Sequence, residues 1–340
     1  MNAKPIALSL GDPAGIGPEI VVKAWAALRY AGPAFMVIGD FEAMVAASNA
    51  RGVKPRRVTH ASEAAQVFSE ALPVLDLPLR APVISGRPDP IHASAIIRWI
   101  ETGVGLALSD EVSALVTAPI AKAPLYAAGF KFPGHTEFLA ELAPPQPFQG
   151  ARGPVMMLAA GDLRTSLVTI HTPLIEVAPQ LSVRRIVDVG LVTAQALRQD
   201  FGLAQPRLAM AGFNPHAGES GALGREEIDI LRPAAQRLRE LGELCEDPRP
   251  ADSLFHQEAR GGYDAVLCMY HDQALIPVKM LDFWGGVNLT LGLPIVRTSP
   301  DHGVAFELAG RGLARADSLI AALRMAADIA ARRGSLGGVP

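Results

Sequence analysis

Three histidines follow short apolar runs at separate places in the chain and could together bind a metal ion. The segments read SLVTIHTPL, LAMAGFNPHAGE and DAVLCMYHDQAL, and their imidazoles belong to His171, His216 and His271. Neutral imidazoles are common ligands of divalent metals, and three protein ligands leave positions open for a substrate. Asp272 is a further candidate ligand, or a carboxylate that orients its neighbour. Spacing alone leaves two interpretations open: one shared metal site, or three unrelated loop histidines.

A second set of side chains could bind an anionic substrate. Lys279, Asn288 and Arg297 follow the third histidine in the segments IPVKML, GGVNLTLG and PIVRTSPDHG. Arginine binds carboxylate and phosphate in bidentate fashion, and lysine binds either as a point charge. The alternative is that they are solvated surface groups, but each stands in an apolar or glycine-rich context rather than in a run of charges.

Two other histidines lie in glycine-containing loops where a ligand can approach the backbone. His135 stands in FPGHTEF beside Thr136, and His302 stands in SPDHGVAFELAG beside Gly303. The remaining histidines have no distinctive setting and are interpreted as structural or surface residues: His60, His92 and His256.

A glycine-rich segment near the N-terminus resembles a phosphate-binding loop. Residues 11–20 read GDPAGIGPEI, which matches neither GxGxxG nor GxxxxGK[ST]. Pro18 suits the first turn of a helix, and Glu19 suits its positive end. The segment is therefore interpreted as a tight strand-to-helix turn and not as a Rossmann fingerprint.

The elements that carry these residues alternate between strands and helices. Most of the predicted strands are continuously apolar, which indicates strands buried on both faces of a mostly parallel sheet in an α/β fold. These strands are residues 6–10, 35–38, 114–117, 155–159, 166–170, 207–211 and 265–270. Since ligands bind outside the carboxyl ends of such strands, histidines that follow three of them can converge.

Helices are predicted between the strands, at residues 91–108, 184–200 and 225–241. The first has apolar residues at i, i+4 and i+8 on one face. Ser182 is a candidate N-cap of the second, and Gly242 suits a left-handed stop after the third. The Pro- and Gly-rich stretch at residues 144–153 is predicted to be a loop and a candidate hinge between lobes.

Length and composition limit the class of protein. A chain of 340 residues suggests two domains, and 31 basic against 34 acidic residues, without a basic block, argue against nucleic-acid binding. Cys245 and Cys268 form no CxxC motif, which fits a reducing compartment. No secretory signal pattern is present, and no apolar run approaches the ~20 residues that span a membrane. We expect a cytoplasmic protein without a membrane partner.

Several of these segments together resemble the PdxA family, the 4-hydroxythreonine-4-phosphate dehydrogenases of vitamin B6 biosynthesis. They extend from residue 11 to about residue 312 and include GDPAGIGPE, FPGHTEFLA, GFNPHAGESGALGREE, YDAVLCMYHDQALIPVK and GVNLTLGLPIVRTSPDHG. The resemblance implies a two-lobed isocitrate/isopropylmalate dehydrogenase-like fold with mostly parallel sheets and a cleft. It also implies a homodimer with a shared active site. We expect a first lobe of residues 1–130 and 300–340, and a second of residues 131–299 with the metal ligands and the dimer interface.

The resemblance also assigns roles to individual residues. It implies one divalent ion per subunit (Zn, Co or Mg) on His171, His216 and His271. The implied substrate-binding residues are His135, Thr136, Lys279, Asn288 and Arg297. Lys279 and Asp272 are the candidates for proton handling. His302 and Gly303 are the candidates for contact with NAD or NADP.

The implied reaction is the oxidation of 4-phosphooxy-L-threonine, a small phosphorylated hydroxy acid, at C3. The product, 2-amino-3-oxo-4-(phosphooxy)butanoate, then loses CO₂ to give 3-amino-2-oxopropyl phosphate for pyridoxine 5'-phosphate biosynthesis. The alternative is the same chemistry on threonate or erythronate 4-phosphate, or on a dihydrodiol. Ser220, Ala222 and Val304 depart from the usual family pattern, and so do Phe306 and Glu307. These departures bear on cofactor contact and substrate choice.

Two rival classes differ in features visible in the sequence. A metal-dependent hydrolase or phosphatase usually has closely spaced ligands such as HExxH, or bridging carboxylates, and the chain has neither pattern. A two-lobed protein that only binds a small molecule would bind without turnover, and a periplasmic one would need an export signal. Reduction of NAD separates a dehydrogenase from both.

Overall fold

The computed structural model describes residues 4–49, 51–132, 135–144 and 147–336. The chain divides into two compact units, each made of two stretches of sequence. The first unit is Met1–Pro144 with Pro294–Ala331, and the second unit is Pro145–Leu293 with Arg332–Pro340. The boundaries lie at residues 144/145, 293/294 and 331/332, whereas the predicted boundaries are 130/131 and 299/300, with residues 300–340 all in the first lobe. The first boundary falls within the predicted loop at residues 144–153.

The strands of the described residues are, in chain order, β1 (Ile6–Ser9), β2 (Phe35–Gly39), β3 (Pro55–Val58), β4 (Leu72–Asp76), β5 (Leu115–Thr117), β6 (Val155–Ala160), β7 (Leu163–Leu167), β8 (Arg207–Met210), β9 (Leu244–Cys245), β10 (Ala265–Cys268), β11 (Val287–Leu291) and β12 (Arg297–Pro300). Six of the seven predicted strands agree within two residues at each end. The strand predicted at residues 166–170 lies three residues earlier, as β7. Gly161 adopts φ +56°, which turns the chain so that Leu163 pairs with Ala160 in an antiparallel hairpin.

The α-helices are, in chain order, α1 (Gly17–Leu28), α2 (Phe41–Asn49), α3 (Ala61–Val67), α4 (Ala93–Leu108), α5 (Lys122–Ala127), α6 (His135–Leu142), α7 (Leu174–Gln180), α8 (Val183–Gln199), α9 (Arg232–Glu240), α10 (Gln257–Arg260), α11 (His271–Leu281) and α12 (Asp317–Leu336). The predicted N-cap of α8 is confirmed, because the Ser182 hydroxyl accepts the Arg185 N–H at 3.2 Å. Within the ranges given above, no helix is long and apolar enough to cross a bilayer.

The helix predicted at residues 225–241 begins differently from the prediction. A π-helical turn spans Glu227–Leu231, and α9 continues from it. Pro233 has no amide N–H to donate to the preceding turn, and the Arg232 N–H bonds five residues back to the Glu227 carbonyl. The predicted left-handed stop is confirmed, since Gly242 has φ +90°.

In the first unit the strands follow the order β3-β4-β2-β1-β5-β12, and every pairing is parallel. All four residues of β1 are buried, as expected for a strand covered on both faces. Trp25 of α1 and Trp99 of α4 are also fully buried. Each indole N–H donates to a backbone carbonyl, Phe68 O at 2.8 Å and Leu77 O at 2.9 Å, so that burial leaves neither polar atom unpaired.

In the second unit the order is β11-β6-β7-β10-β8-β9. The strand β6 is antiparallel to both neighbours, whereas β7, β10, β8 and β9 run parallel to one another. The core of this unit includes Leu158, Leu167, Val266 and Cys268. Both cysteines of the chain are free and buried, and burial raises the pKa of Cys245 to about 12, so this thiol is not a nucleophile at neutral pH.

Candidate functional site

The three histidines follow three neighbouring parallel strands of the second unit. His171 follows β7, His216 follows β8 and His271 follows β10, and β10 pairs with both of the other strands. Parallel strands end at a common edge, which is where ligands bind in open α/β sheets. The imidazole rings of His171 and His271 lie 5.5 Å apart between centroids. The structure thus brings two of the three predicted ligands together.

Hydrogen bonds beyond the ends of β7 and β10 explain why these two rings meet. The Val168 N–H donates to the Cys268 carbonyl at 2.8 Å, and the buried Thr169 hydroxyl donates to the Met269 carbonyl at 2.7 Å. These bonds extend the pairing of the two segments past the strands. His171 then adopts φ +51°, in the left-handed region, where the chain leaves the sheet edge.

Asp272 is placed to orient the His271 ring. Its Oδ1 lies 2.8 Å from His271 Nδ1, so a proton on Nδ1 is donated to the carboxylate. In that tautomer Nε2 keeps its lone pair, which is the arrangement that metal-binding histidines commonly show. Of the two roles considered for Asp272 in metal binding, the geometry supports the orienting partner.

His216 lies in a left-handed turn. Residues 216–220 have φ values of +51°, +50°, +78°, +42° and +54°, and four of these five residues are not glycine. The left-handed conformation costs L-residues roughly 1–2 kcal/mol each, so the surrounding contacts must hold the turn. His216 itself is exposed, whereas Ala217 and Gly218 are buried.

Glu227 is the buried anchor beside this turn. Its side chain is only 1% exposed, and its two carboxylate oxygens accept the backbone N–H of Asn214 at 2.7 Å and the Asn214 Nδ2–H at 3.0 Å. Glu226 accepts from the same amide at 2.7 Å. Glu226 and Glu227 open the helix predicted at residues 225–241, where their charge suits the helix dipole, but they are not among the predicted site residues.

Gln273 links the strand ends that precede His216 and His271. It is 7% exposed, accepts the Met269 N–H at 2.7 Å and donates to the Gly212 carbonyl at 2.6 Å. Met269 follows β10 and Gly212 follows β8, so one side chain fixes both exits from the sheet. This residue was also missed, although it stands in the YHDQ segment from which the histidine was selected.

The side chains at this sheet edge have the chemistry of divalent-metal ligands, but their positions among the described residues do not complete a metal site. Two imidazoles are close together, and one of them is already oriented by a carboxylate. Within residues 4–336, leaving aside three short gaps, no group of three or more His, Cys, Asp or Glu residues is close enough to hold a metal ion. The structure therefore does not bring His216 to the other two rings, and the three-histidine metal site stays a prediction.

Two of the predicted substrate-binding residues belong to the second unit. Lys279 is half-buried on α11, and its Nζ lies 5.3 Å from the centroid of the Phe283 ring, a cation–π contact. Asn288 lies on β11, and the described residues offer its buried Oδ1 no hydrogen-bond partner. Buried polar atoms are nearly always paired, so an orphaned acceptor is a candidate contact for a ligand.

The other predicted substrate-binding residues belong to the first unit. Arg297 is 3% exposed and donates from Nη2 to the Thr117 hydroxyl at 2.7 Å. Burial lowers its pKa to about 10, so the guanidinium remains charged at neutral pH. Thr136 is buried on α6. His135 is the first residue of that helix, but its side chain lies outside the described part of the structure.

The glycine-rich segment near the N-terminus forms the predicted tight turn. Residues 11–20 are all buried, so they do not form an open cradle for an anion. Asp12 closes the turn by accepting the Ala14 N–H at 3.0 Å. Burial raises the pKa of Asp12, which that hydrogen bond and the nearby His92 act to lower. His92 is itself 3% exposed, which fits the interpretation of a structural histidine.

The same turn contacts the segment that carries the predicted cofactor residues. His302 and Gly303 follow β12, and the next residue, Val304, accepts the Ile16 N–H through its carbonyl at 3.0 Å. The His302 Nδ1 lies 3.0 Å from the Gly303 carbonyl oxygen. The conformation of this segment therefore depends on the turn before α1.

A charged pair on α1 fixes the far end of that segment. Glu19 accepts the N–H groups of Gly312 at 3.1 Å and Ala314 at 3.0 Å. Lys23 pairs with Glu19 at 2.7 Å and donates to the Gly312 carbonyl at 3.0 Å. Glu19 lies at the positive end of α1, as the sequence predicts, but its contact with residues nearly three hundred positions later is not visible in sequence spacing.

Comparison with solved structures defines the class of this protein. A 4-hydroxythreonine-4-phosphate dehydrogenase from Klebsiella pneumoniae matches with a TM-score of 0.84 and 37% identity, over 96% of this chain and 100% of that one. A terephthalate 1,2-cis-dihydrodiol dehydrogenase from Burkholderia xenovorans matches with a TM-score of 0.63 and 29% identity, over 96% and 98%. The chain has the α/β fold of these dehydrogenases, and the predicted mostly parallel α/β class is confirmed.

Sequence comparison narrows the class to one family. A 4-hydroxythreonine-4-phosphate dehydrogenase from Caulobacter vibrioides is 69% identical over 98% of this chain and 100% of that protein. One of the same name from Maricaulis maris is 56% identical over 96% and 97%. The family model for the pyridoxal phosphate biosynthetic protein PdxA matches residues 32–326. The chain belongs to the PdxA family, which confirms the resemblance drawn from its motifs.

Proposed function

We propose that this protein oxidises 4-phosphooxy-L-threonine at C3, with a nicotinamide cofactor and a divalent metal, in pyridoxine 5'-phosphate biosynthesis. The product, 2-amino-3-oxo-4-(phosphooxy)butanoate, decarboxylates to 3-amino-2-oxopropyl phosphate. The observation that carries the proposal is 69% identity to a 4-hydroxythreonine-4-phosphate dehydrogenase over essentially the whole of both chains. The paired rings of His171 and His271 support the metal-dependent part.

His171, His216 and His271 are the residues that would hold the divalent ion, which is Zn, Co or Mg. The chemistry such an ion supplies is polarisation of a substrate oxygen. The part played by the chain is to present neutral imidazole nitrogens. Asp272 supports this role for His271, because its carboxylate retains the proton at Nδ1 and leaves Nε2 as the donor.

Arg297, Asn288, His135 and Thr136 would bind the phosphate and carboxylate ends of the substrate. Arg297 is charged and buried, conditions under which a guanidinium binds an anion strongly. The orphaned Oδ1 of Asn288 can accept a substrate hydroxyl or ammonium proton. Lys279 is the candidate that takes the proton from the C3 hydroxyl, a step in which its neutral amine accepts the proton and becomes an ammonium group.

The nicotinamide cofactor, NAD or NADP, would contact His302 and Gly303. The backbone around these residues is fixed at one end by the turn before α1 and at the other by Glu19 and Lys23. Exposed backbone at Gly303 allows close approach, because glycine has no side chain to obstruct a ligand.

The apolar residues exposed on and after α11 support a homodimer. Ile276 is 61% exposed, Met280 82%, Phe283 60% and Trp284 49%. An apolar patch of this kind on a soluble protein marks an interaction surface, and we assign it to a second copy of this chain. Lys279 lies within the patch and contacts the Phe283 ring, so a partner that covers the patch would also border the catalytic lysine.

The test is NADH formation by the purified protein with 4-phosphooxy-L-threonine or, separately, D-erythronate 4-phosphate, with and without a chelator. Turnover of the threonine phosphate alone, abolished by the chelator, is the expected result. Turnover of only the erythronate compound would move the enzyme to sugar-acid metabolism, and no turnover of either would refute both phosphorylated substrates and leave the dihydrodiol alternative. His216→Ala should lose activity and metal, whereas the exposed His256→Ala should keep both.

A further inference from the structure

We infer that Glu227 and Asn214 are positioning residues that hold the left-handed turn of residues 216–220 and thereby set the place of the His216 imidazole. The inference rests on the proposed function, in which His216 is a metal ligand. Neither residue is itself proposed to touch the metal or the substrate. Their effect would pass through the backbone of the turn.

The turn is unusual enough to need an external cause. Its φ and ψ angles stay in the left-handed region for five consecutive residues, and only Gly218 among them is free of the steric penalty. Inside and next to the turn, the Ala217 N–H bonds to the Asn214 carbonyl at 3.1 Å and the Leu223 N–H to the Gly218 carbonyl at 3.1 Å. Backbone strain of this kind persists only where the surroundings over-determine it.

Glu227 is the group whose contacts hold the turn in this conformation. Its carboxylate holds both the backbone N–H and the side-chain amide of Asn214, two residues before His216, and it is buried against the turn. A Cβ at Gly218 would lie 2.6 Å from Glu227 Oε2, and a Cβ at Gly224 would lie 2.4 Å from Asn214 Nδ2. The two glycines therefore allow an approach that other residues would prevent.

The segment before the turn is fixed independently. The Gln273 amide donates to the Gly212 carbonyl, and the Gly212 N–H donates to the Arg249 carbonyl at 2.7 Å. The chain between Gly212 and Asn214 is thus held from both sides before the turn begins. The remaining freedom of His216 is in its own χ angles, because the backbone that carries it is fixed.

The experiment measures Co²⁺ affinity, by the visible absorption of the bound ion, for the full chain and its variants. In Glu227→Gln one carboxylate oxygen becomes an NH₂ group, which faces an N–H donor of Asn214. We expect the affinity to fall roughly 10–100-fold, the effect of losing a supporting residue at a metal site. Glu226→Gln is the matched control, since its side chain can still accept from Asn214, and we expect an unchanged affinity.

Exchanging donor and acceptor in the hydrogen bond between the side chains of Asn214 and Glu227 distinguishes a positioning role from a general loss of structure. In a Glu226→Gln background, Asn214→Asp and Glu227→Gln should each weaken binding. Together, N214D/E227Q restore a donor opposite an acceptor and should recover most of the affinity. Failure of the double variant to recover would overturn the pairing. If Glu227→Gln does not fold, Asn214→Ser replaces it, because that change keeps the backbone bond and removes only the amide.

Amide hydrogen exchange in metal-free protein provides a readout independent of the proposed function. Glu227→Gln should speed exchange at Ala217 and Leu223 and leave the strand amides of β8 unchanged. Unaltered Co²⁺ affinity together with unaltered exchange would refute the inference. If the wild-type chain binds no Co²⁺, the proposed metal function fails, and the exchange result alone decides whether Glu227 holds the turn.

Discussion

Ser220 offers a direct measure of the strain in the His216 turn. It is exposed and adopts φ +54° and ψ +29°, a conformation in which the Cβ of an L-residue crowds the following carbonyl. It also stands at a departure from the glycine-rich pattern expected for the family. Replacement with glycine removes the crowding and leaves no cavity, because the side chain faces solvent.

The expected gain follows from two opposing effects. The left-handed conformation costs serine about 1–2 kcal/mol, which S220G would recover. Glycine loses more conformational freedom on folding, which costs roughly 0.5–1 kcal/mol. The free energy of unfolding of the second unit should therefore rise by about 0.75 kcal/mol, the difference between the midpoints of the two ranges. For a unit of this size that corresponds to an increase in its Tm of roughly 1–3 °C.

The assay must report on the second unit, because a chain of two units need not unfold in one step. Urea unfolding followed by the exchange of slow amides in β8 and β10 meets this condition. Ala222 provides the matched control: it is exposed, two residues away, and has φ −71°. A222G gains no relief from strain and should lose about 0.5–1 kcal/mol.

The two variants should therefore change stability in opposite directions. If S220G destabilises the unit as much as A222G does, Ser220 is not left-handed in solution, and the account of a strained turn fails. If neither variant changes the free energy of unfolding, the turn is not part of the cooperatively folded unit. That result would also remove the basis for assigning a positioning role to Glu227.

Three further predictions concern other parts of the chain. Burial raises the pKa of Asp12, so the stability that its protonated form contributes is complete below the ordinary value of 3.8 and is lost as pH rises through the folded-state pKa. In D12N the free energy of unfolding, measured by urea titration at several pH values, should fall less steeply over this range. E19Q removes the charged partner of Lys23 and weakens the support of the segment after His302, so we expect the KM for the proposed nicotinamide cofactor to rise severalfold with the KM for substrate unchanged. M280E places a charge in the exposed apolar patch and should give a monomer by light scattering, whereas L108E, at a half-exposed leucine of the first unit, should not.

The strands that the sequence revealed are those whose burial is visible in composition. Runs such as residues 6–10 and 265–270 are apolar because both faces are covered. The strand β12 reads RTSP and was missed, although it is fully buried. Its polar atoms have partners far along the chain: Arg297 bonds to Thr117, and the Thr298 hydroxyl bonds to the Ala322 carbonyl at 2.8 Å. Composition alone does not reveal such partners.

The candidate site was also predictable only in part. Histidines after apolar runs indicated positions at a sheet edge, and His171 and His271 do meet there. The role of Glu227 was hidden for a geometric reason. Its direction depends on a π-helical turn, and a helix drawn with ordinary α periodicity gives it a different direction. Sequence spacing therefore located the ligand candidates but not the residues that fix their backbone.

Two of the three candidate ligands, His171 and His216, are themselves left-handed non-glycine residues with φ +51°. Such conformations cluster at functional sites, where contacts elsewhere in the structure sustain them. Here those contacts are the Thr169 hydroxyl bond beside one histidine and the Glu227 carboxylate beside the other. An imidazole on a fixed backbone has only its side-chain entropy to lose when it binds a ligand, and the smaller loss favours affinity. The strain in the two turns is therefore what we expect if His171 and His216 serve as ligands in the proposed metal site.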